Sequence, residues 1–157
     1  MRVLIQRVSH AKVTVGGVET GAIQRGLVVF LGVGKGDVTG DADYLVRKIL
    51  GLRIFPDERG KMGCNLSQAE GSLLVVSQFT LYADTSKGNR PGFDYAAPAI
   101  VARELYEYFV EKARKIGFRV ETGLFQEHME VTLVNDGPIT IWIDTIDKLI
   151  DRADINN

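Results

Sequence analysis

The sequence predicts an α+β fold, in which strands form sheets and two main helices pack over one face. Strand-like periods dominate residues 2–34 and 118–145, whereas helical spacing is found at 41–50 and again after Pro98. The 157 residues contain no repeat, low-complexity tract or linker-like stretch. One domain spanning residues 1–157 is therefore expected.

Three strands are predicted at the start of the chain. Residues 2–15 alternate apolar and polar side chains and end at a Gly16-Gly17 turn. Two further strands, 18–25 and 27–34, are separated by Gly26. The second begins with a continuously apolar run, as expected of a strand that is covered on both faces.

Two helices are predicted in the middle of the chain. The first spans 41–50, with Thr39 or Asp41 as a candidate N-cap and Gly51 as its end. The second begins at Pro98 and ends at Gly117. Its apolar face is predicted to carry Leu105, Phe109, Ala113 and Ile116.

The remaining segments complete the sheets. Strands are predicted at 52–55, 61–66, 72–82, 118–121, 129–135 and 139–145, with a polar loop at 85–92. Two separate strands are expected at the end of the chain, because the alternation stops at Asn135 and resumes after Pro138.

Composition limits the functional classes. No run of about 18 apolar residues exists, so no membrane span is predicted. Cys64 is the single cysteine, which rules out an intrachain disulfide and makes a reducing cytoplasm the expected compartment. Nineteen basic residues oppose twenty acidic ones, for a net charge of −1, so any contact with nucleic acid is expected to be local.

The common hydrolytic sites cannot be assembled from this sequence. Zinc needs about four ligands, and only His10, His128 and Cys64 are available, so no metal or cofactor is predicted. Both histidines are expected to be structural or on the surface. There is no G-x-S-x-G motif, and the glycine-rich segment 32–37 lacks the spacing of a phosphate loop. An enzyme with this sequence must use backbone groups or groups of its substrate.

Two segments remain as candidates for a site. Residues 73–81 start as a buried strand and turn polar at Ser77-Gln78, where hydroxyl, amide and backbone N–H groups could hold a carbonyl or an oxyanion. The alternative is an edge strand with solvated polar residues. In the second segment, Gly137-Pro138 connects the two predicted strands; it is either an ordinary trans turn or a cis bond with a special role.

Together these segments resemble a known family. Ser77-Gln78-Phe79-Thr80-Leu81 and Asn135-Asp136-Gly137-Pro138 are similar to the two signature motifs of D-aminoacyl-tRNA deacylases. The resemblance extends over residues 1–146 and leaves a C-terminal tail, 147–157, without an assigned role. Further matching segments are Ile5-Gln6-Arg7-Val8, Leu31-Gly32-Val33, Arg53-Ile54-Phe55, Lys87-Gly88-Asn89-Arg90-Pro91 and Thr122-Gly123-Leu124-Phe125.

The resemblance implies a barrel-like core and a hydrolase that proofreads translation. Such an enzyme cleaves the ester bond of D-aminoacyl-tRNA, and of glycyl-tRNA(Ala), while rejecting L-aminoacyl groups. It implies a homodimer with active sites at the subunit interface, where a cis Gly137-Pro138 bond enters the partner's site. At the catalytic positions, the backbone of Ser77, Gln78 and Phe79 would place the ester carbonyl and the adenosine, with Thr80 as a supporting polar group. The 2′-hydroxyl of the terminal adenosine, rather than a side chain, would assist cleavage.

Substrate-binding residues follow from the same resemblance. Phe125, Met129 and Ala102 would wall the adenine pocket, with core packing as the alternative for each. Lys87 and Arg90 would contact phosphate, unless they are simply solvated cations. Two departures from the family pattern are Gln126-Glu127-His128, where small residues are usual, and Gly92, where Ser is common.

Two rival functions share the scaffold. One is a non-catalytic RNA-binding module. The other is an editor devoted chiefly to glycine mischarged on alanine tRNA, in which a reoriented Gly137-Pro138 would relax the chirality.

Overall fold

The computed structural model describes residues 1–148, and the remainder of the predicted tail, 149–157, lies outside the described residues. The chain is α+β, as predicted. Its elements, in order, are β1 (Arg2–Val15), β2 (Val18–Ile23), β3 (Gly26–Gly32), α1 (Thr39–Gly51), β4 (Phe55–Pro56), β5 (Met62–Cys64), β6 (Ser72–Ser77), a 3₁₀ turn (Phe79–Tyr82), α2 (Ala99–Ile116), β7 (Val120–Thr122) and β8 (Glu130–Asp144).

The main sheet has the order β2-β1-β3-β6-β7, and β8 pairs with the other edge of β1. The strand β1 is long enough to pair with β3 through its first half and with β2 through its second. The sheet then curls until β2 approaches β7. Gly21 permits this approach, since a Cβ there would lie 2.5 Å from the backbone oxygen of Thr122. The result is a nearly closed, barrel-like core.

Two apolar clusters fill the two sides of the sheet. One face packs against both helices, and its centre includes Ile5 and Val29 from the strands, Leu45 from α1 and Phe109 from α2. The other side, inside the curled sheet, holds a smaller cluster around Val13 and partly buried residues of β8. In β3 and β6 alternate residues therefore serve different clusters, as the period of two requires. Both helices lie over one face, as predicted.

The helix ends differ in detail from the prediction. Neither Thr39 nor Asp41 is the N-cap of α1; Val38 occupies that position, and the Asp41 carboxylate accepts a hydrogen bond from the Val38 N–H at 2.9 Å. The helix α1 ends at Gly51 and α2 ends just before Gly117, both as expected. Gly117 itself has a left-handed backbone conformation. Ile116 is not part of the buried face: it lies beside this terminus and is 54% exposed.

Two strand predictions are wrong in ways that shape the site. The strand predicted at 72–82 stops at Ser77, because the chain turns at Gln78 into the 3₁₀ turn. The two strands predicted at 129–135 and 139–145 form one strand, β8, which pairs with β1 on both sides of Gly137-Pro138. The hairpin strands β4 and β5 are also shorter than predicted, since Asp57 binds the backbone N–H groups of Arg59 and Lys61 in the turn.

We predict that the close approach of β2 to β7 tolerates no side chain. Gly21→Ala should destabilise the fold by about 1–3 kcal/mol, because backbone atoms of Thr122 must move to admit the methyl group. Urea unfolding measures this. Gly51→Ala is the matched control: a Cβ at Gly51 meets nothing within 4 Å, so this variant should equal or exceed the wild type in stability. Equal stabilities for the two variants would contradict the close approach.

Candidate active site

A cavity of about 550 Å³ lies where β3 and β6 end and α2 begins. Ligand sites of roughly 300–1,000 Å³ are typical of small-molecule pockets. The cavity brings together six of the residues singled out from the sequence: Ser77, Gln78, Phe79, Ala102, Phe125 and Met129. These residues come from three distant parts of the chain, so only the fold unites them.

The turn after β6 leaves two backbone amides available. The Gln78 N–H is occupied, since it donates to the Leu31 oxygen at 2.8 Å and so continues the pairing of β6 with β3. The N–H groups of Phe79 and Thr80, in the first positions of the 3₁₀ turn, donate to no protein acceptor within residues 1–148. Free N–H groups at a water-accessible cavity can hold a carbonyl oxygen or an oxyanion.

Thr80 lies beside the cavity rather than on its wall. Its hydroxyl is hydrogen-bonded to the side-chain amide of Gln78, and both groups are accessible to solvent. A carboxamide cannot remove a proton, so this contact orients the Thr80 hydroxyl without activating it as a nucleophile. The role of Thr80 suggested by its geometry is to hold the Gln78 side chain.

The back wall of the cavity is aromatic and neutral. The hydroxyl of Tyr106 donates to the Val75 oxygen at 2.8 Å, and burial raises the pKa of Tyr106, so its side chain stays protonated. The Phe125 ring packs against Tyr106 with centroids 5.6 Å apart, and the Arg103 guanidinium lies 4.8 Å from the Phe125 centroid. Phe125 therefore both packs on the core and forms the wall, so its two predicted roles are not exclusive.

Met129 and Ala102 complete the walls. Met129 packs on the cluster inside the curled sheet and lies against Gly123, where a Cβ would collide with the Met129 sulfur. Ala102 is half-buried in the first turns of α2. Its small side chain leaves the space that the cavity occupies, together with those of Ala96, Ala97 and Ala99. Ala96, Ala97 and Ala99 were not singled out from the sequence, although a run of small residues around Pro98 was the available signal.

Three further lining residues depart from the family pattern. Gln126, Glu127 and His128 are exposed along the cavity, in the segment between Phe125 and Met129. Gln126 has a positive φ of 66°, and its side-chain oxygen accepts a hydrogen bond from Arg103 at 3.4 Å. His128 is on the surface, as predicted, but it lies on the wall of the cavity. Neither His10 nor Cys64 lines it.

The loop that carries Lys87 and Arg90 lies beside the mouth of the cavity. Asp84 and Gly92 close the base of this loop through two backbone hydrogen bonds of 2.8 and 2.9 Å. Directly after it, Phe93 packs edge-on against Phe79, with ring centroids 4.9 Å apart. Both cations are exposed, and neither lines the cavity itself.

The Gly137-Pro138 bond is cis and lies in a bulge of β8, here called the Gly-Pro bulge, residues 136–139. On either side of the bulge β1 and β8 are paired, Gln6 with Thr140 and Val8 with Asn135. The single β1 residue between these pairs therefore faces the four β8 residues of the bulge. The Asn135 side chain closes the neck: its oxygen accepts from the Ile139 N–H at 2.9 Å, and its amide donates to Thr140.

Arg7 is the residue of β1 that faces the bulge. Its Nε donates to the Asp136 backbone oxygen at 3.0 Å, and its Nη1 donates to the Ile54 oxygen at 2.6 Å. The side chain is nearly buried, and the Asp136 carboxylate lies 3.2 Å from Nε. One guanidinium thus ties the bulge to the segment that follows α1. Sequence reasoning matched Arg7 to the family but assigned it no role.

The bulge and the cavity lie at opposite ends of the same protomer. Ser77 is paired with Leu31 at one end of β3, whereas Arg7 is paired with Leu27 at the other. The bulge and Ser77 are separated by four residues along the strand and by three strand spacings across the sheet, which together amount to roughly 20 Å. Consistent with this, neither Gly137 nor Pro138 lines the cavity. Within one chain the two predicted halves of the site are not brought together.

Comparisons with known proteins identify the relatives of this chain. A family model described as D-Tyr-tRNA(Tyr) deacylase matches residues 4–144. A protein of Symbiobacterium thermophilum named D-aminoacyl-tRNA deacylase is 56% identical over 145 residues, which cover 92% of this chain and 96% of the relative. A protein of the same name from Koribacter versatilis is 57% identical, with 92% and 97% covered.

A solved structure shares the fold as well. A chain titled c-Myc DNA Unwinding Element Binding Protein superposes with a TM-score of 0.87 at 41% identity, covering 92% of this chain and 98% of that one. Within residues 1–148, no helix is both long and apolar enough to cross a membrane.

We predict that Arg7 cannot be replaced by lysine without loss of stability. A lysine can donate to Ile54 or Asp136 but cannot hold both in the same geometry, so Arg7→Lys should cost about 1–3 kcal/mol of unfolding free energy in urea. Arg119→Lys serves as the control, since Arg119 makes only an exposed pair with Glu121 and its loss should cost under about 0.5 kcal/mol. If both variants unfold at the same urea concentration, Arg7 does not secure the bulge.

Proposed function

This chain belongs to the D-Tyr-tRNA(Tyr) deacylase family, and from that premise we propose that it hydrolyses the ester bond of D-aminoacyl-tRNA to give free tRNA and the amino acid. The observation that carries this proposal is a cavity lined by Phe79, where the backbone N–H groups of Phe79 and of the adjacent Thr80 have no protein acceptor within residues 1–148. They are suited to the negative charge that develops on an ester carbonyl during attack by water.

The proposed chemistry uses no nucleophilic side chain. Water adds to the ester carbon, the carbonyl oxygen receives hydrogen bonds from the two amides, and the 3′-oxygen of the terminal adenosine leaves with a proton. The neighbouring 2′-hydroxyl of that adenosine assists the proton transfer. Because water and the 2′-hydroxyl carry out this reaction, the Thr80 hydroxyl needs no base, and it is hydrogen-bonded to an amide instead.

The walls of the cavity are proposed to hold the terminal adenosine. Phe125 and Met129 offer apolar and aromatic surface for a base, and Ala102 leaves room for it. The Ser77-Gln78-Phe79 backbone would then align the ester beside the two free amides. Glycine attached to tRNA(Ala) is included as a substrate, because it has no side chain that the site could reject.

Chirality is proposed to be read by the Gly-Pro bulge of a partner subunit. Its backbone carbonyls would occupy the space that the side chain of an L-aminoacyl group needs, while a D-aminoacyl group presents only hydrogen there. The strand spacing puts the bulge roughly 20 Å from the cavity of its own chain. It must therefore act on the site of another copy. A two-fold homodimer satisfies this requirement twice.

The surface of β8 supports such a homodimer. Among the described strands β8 pairs only with β1, so its second edge is open. Val134 and Trp142 lie on this strand and are 47% and 48% exposed. Gly137 and Pro138 are exposed between them. An open strand edge with apolar side chains is a common surface for association with a second copy.

Recognition of the tRNA is proposed to be local. Lys87 and Arg90 lie on the loop beside the mouth of the cavity, where they can meet phosphates near the aminoacyl end. A net charge of −1 provides no general attraction to RNA, so a few such contacts must suffice. The cytoplasm, where mischarged tRNA arises, is the proposed compartment.

One observation favours a second candidate function. The solved relative at 41% identity is named for binding a DNA unwinding element. A non-catalytic nucleic-acid-binding role on this fold would leave the cavity without a reaction. Release of D-tyrosine from D-tyrosyl-tRNA by catalytic amounts of the protein separates the two roles, because a binding module would protect the ester or leave it unchanged.

We predict that removing side-chain hydroxyls has little effect on turnover. Thr80→Ala and Ser77→Ala should each retain activity within about a hundredfold of wild type, well short of the loss that follows removal of a triad member. A substrate whose terminal 2′-hydroxyl is replaced by hydrogen should not be turned over. Single-turnover deacylation of D-tyrosyl-tRNA measures both. A ten-thousandfold loss in folded Thr80→Ala, on the order of a triad residue's effect, would contradict the mechanism.

We further predict that two different lesions complement each other in a heterodimer. Gly137→Val damages the bulge, since Gly137 has a φ of 134° and a Cβ there would lie 2.8 Å from Ile139. Ala102→Phe fills the cavity. Each homodimer should be inactive, whereas a heterodimer purified through two different tags should regain activity, because one of its sites pairs an intact cavity with an intact bulge.

The control is the same heterodimer with both substitutions placed in one chain and none in the other. There each site carries one lesion, so no activity should return. Heterodimers that form but show the reverse pattern would place the bulge and the cavity of one chain in the same site.

A further inference from the structure

A second cavity, of about 390 Å³, lies at the C-terminal end of α1 and shares no lining residue with the candidate active site. Its lining comprises Tyr44, Arg47, Lys48, Gly51, Leu52 and Arg53. We call it the α1 groove. Three of these six residues are cations and none is an acid, on a chain whose net charge is −1.

The cations of the α1 groove are accessible. Arg47, Lys48 and Arg53 are all exposed, and none of them forms an ion pair within residues 1–148. The Nε of Arg53 donates to the Gly63 oxygen at 2.6 Å, which fixes this side chain along the hairpin. Lys48 lies in the last turn of α1, where the helix dipole favours a positive charge.

The neighbouring carboxylates have other partners. Asp43 lies 3.0 Å from Lys112 and accepts a hydrogen bond from Tyr108; the Lys112 ammonium holds the pKa of Asp43 below its ordinary value. Asp57 accepts hydrogen bonds from two backbone N–H groups of its turn. The positive charge of the groove is therefore available to an anionic ligand.

The groove is connected to the Gly-Pro bulge through Ile54 and Arg7. Arg53, in the groove, directly precedes Ile54, and the Arg7 guanidinium joins the Ile54 oxygen to the Asp136 oxygen at the start of the bulge. The groove and the bulge thus lie at the same end of the sheet. A bulge that enters a partner's active site brings the α1 groove to the edge of that site.

We propose that the α1 groove binds the sugar-phosphate backbone of the tRNA whose aminoacyl end occupies the partner subunit's cavity. This rests on the proposed function, because the phosphates belong to that substrate. Guanidinium and ammonium groups pair with phosphate oxygens, and the Tyr44 ring offers a surface against a ribose or base. Each tRNA would then contact both chains, and a chain of net charge −1 would still bind RNA locally.

The test compares two charge-matched variants. Arg47→Ala with Lys48→Ala removes two cations of the groove, and alanine at exposed helical positions preserves α1. Lys115→Ala with Arg119→Ala removes two exposed cations that do not line the groove. For full-length D-tyrosyl-tRNA, the groove variant should raise KM by about tenfold, as expected for two exposed charge contacts, with kcat nearly unchanged.

Salt dependence and a short substrate provide the specific readouts. The slope of log KM against log salt concentration should fall by about two in the groove variant, one for each lost phosphate contact, and should stay unchanged in the control. A D-tyrosylated CCA trinucleotide lacks the stem that the groove would bind. The KM of the groove variant for it should therefore equal that of the wild type.

Each outcome decides between the proposals. No hydrolysis of either substrate by the wild type would overturn the proposed function and the groove proposal with it. Wild-type hydrolysis with an unaffected groove variant would overturn the groove proposal alone. An equal loss in the control variant, or an equal loss with the trinucleotide, would also overturn it, because the effect would then come from net charge or from the cavity.

Discussion

The proposed site depends on the hydrogen bonds that the nearly buried Arg7 guanidinium donates to two backbone oxygens. A buried charge is costly unless its donors are satisfied, and Arg7 satisfies them with backbone oxygens from two segments that are distant in sequence, Ile54 and Asp136. Because those oxygens belong to the main chain, the contact fixes backbone positions rather than side chains. It sets where the Gly-Pro bulge leaves β8 and where the segment after α1 meets the sheet.

The position of that contact divides the proposed site between two chains. Arg7 is level with Leu27, at the end of β3 that lies away from Ser77, so the bulge cannot turn back to its own cavity. An enzyme that needs both must be at least a dimer, and a two-fold axis completes two sites with one interface. In the proposed homodimer the α1 groove would lie beside the partner's site, so the proposed RNA contact would extend over both subunits.

The proposed chemistry follows from where a strand stops. At Ser77 the pairing of β6 with β3 ends, the Gln78 N–H makes the last bond across the sheet, and the next two amides have no protein acceptor within residues 1–148. Backbone amides directly after a paired strand have a direction set by the main chain, and oriented donors are what stabilisation of a developing oxyanion requires. The relatives named D-aminoacyl-tRNA deacylase are 56% and 57% identical to this chain over 145 residues, which include the end of β6.

The sequence by itself determined the α+β class and both helices, since these follow from local periods. The sequence singled out the motifs at 77–81 and 135–138 as candidates for the site. It also predicted the cis state of Gly137-Pro138 through the family resemblance. The path of β8 was missed, because one strand with a bulge and two strands with a turn have the same local pattern; only pairing with β1 decides between them. Likewise, Gln126 and His128 reach the cavity through a turn with a positive φ that no periodicity reveals. The tertiary structure alone decided that the bulge and the cavity lie at opposite ends of one chain, because strand register is set by long-range hydrogen bonds rather than by any local run of residues.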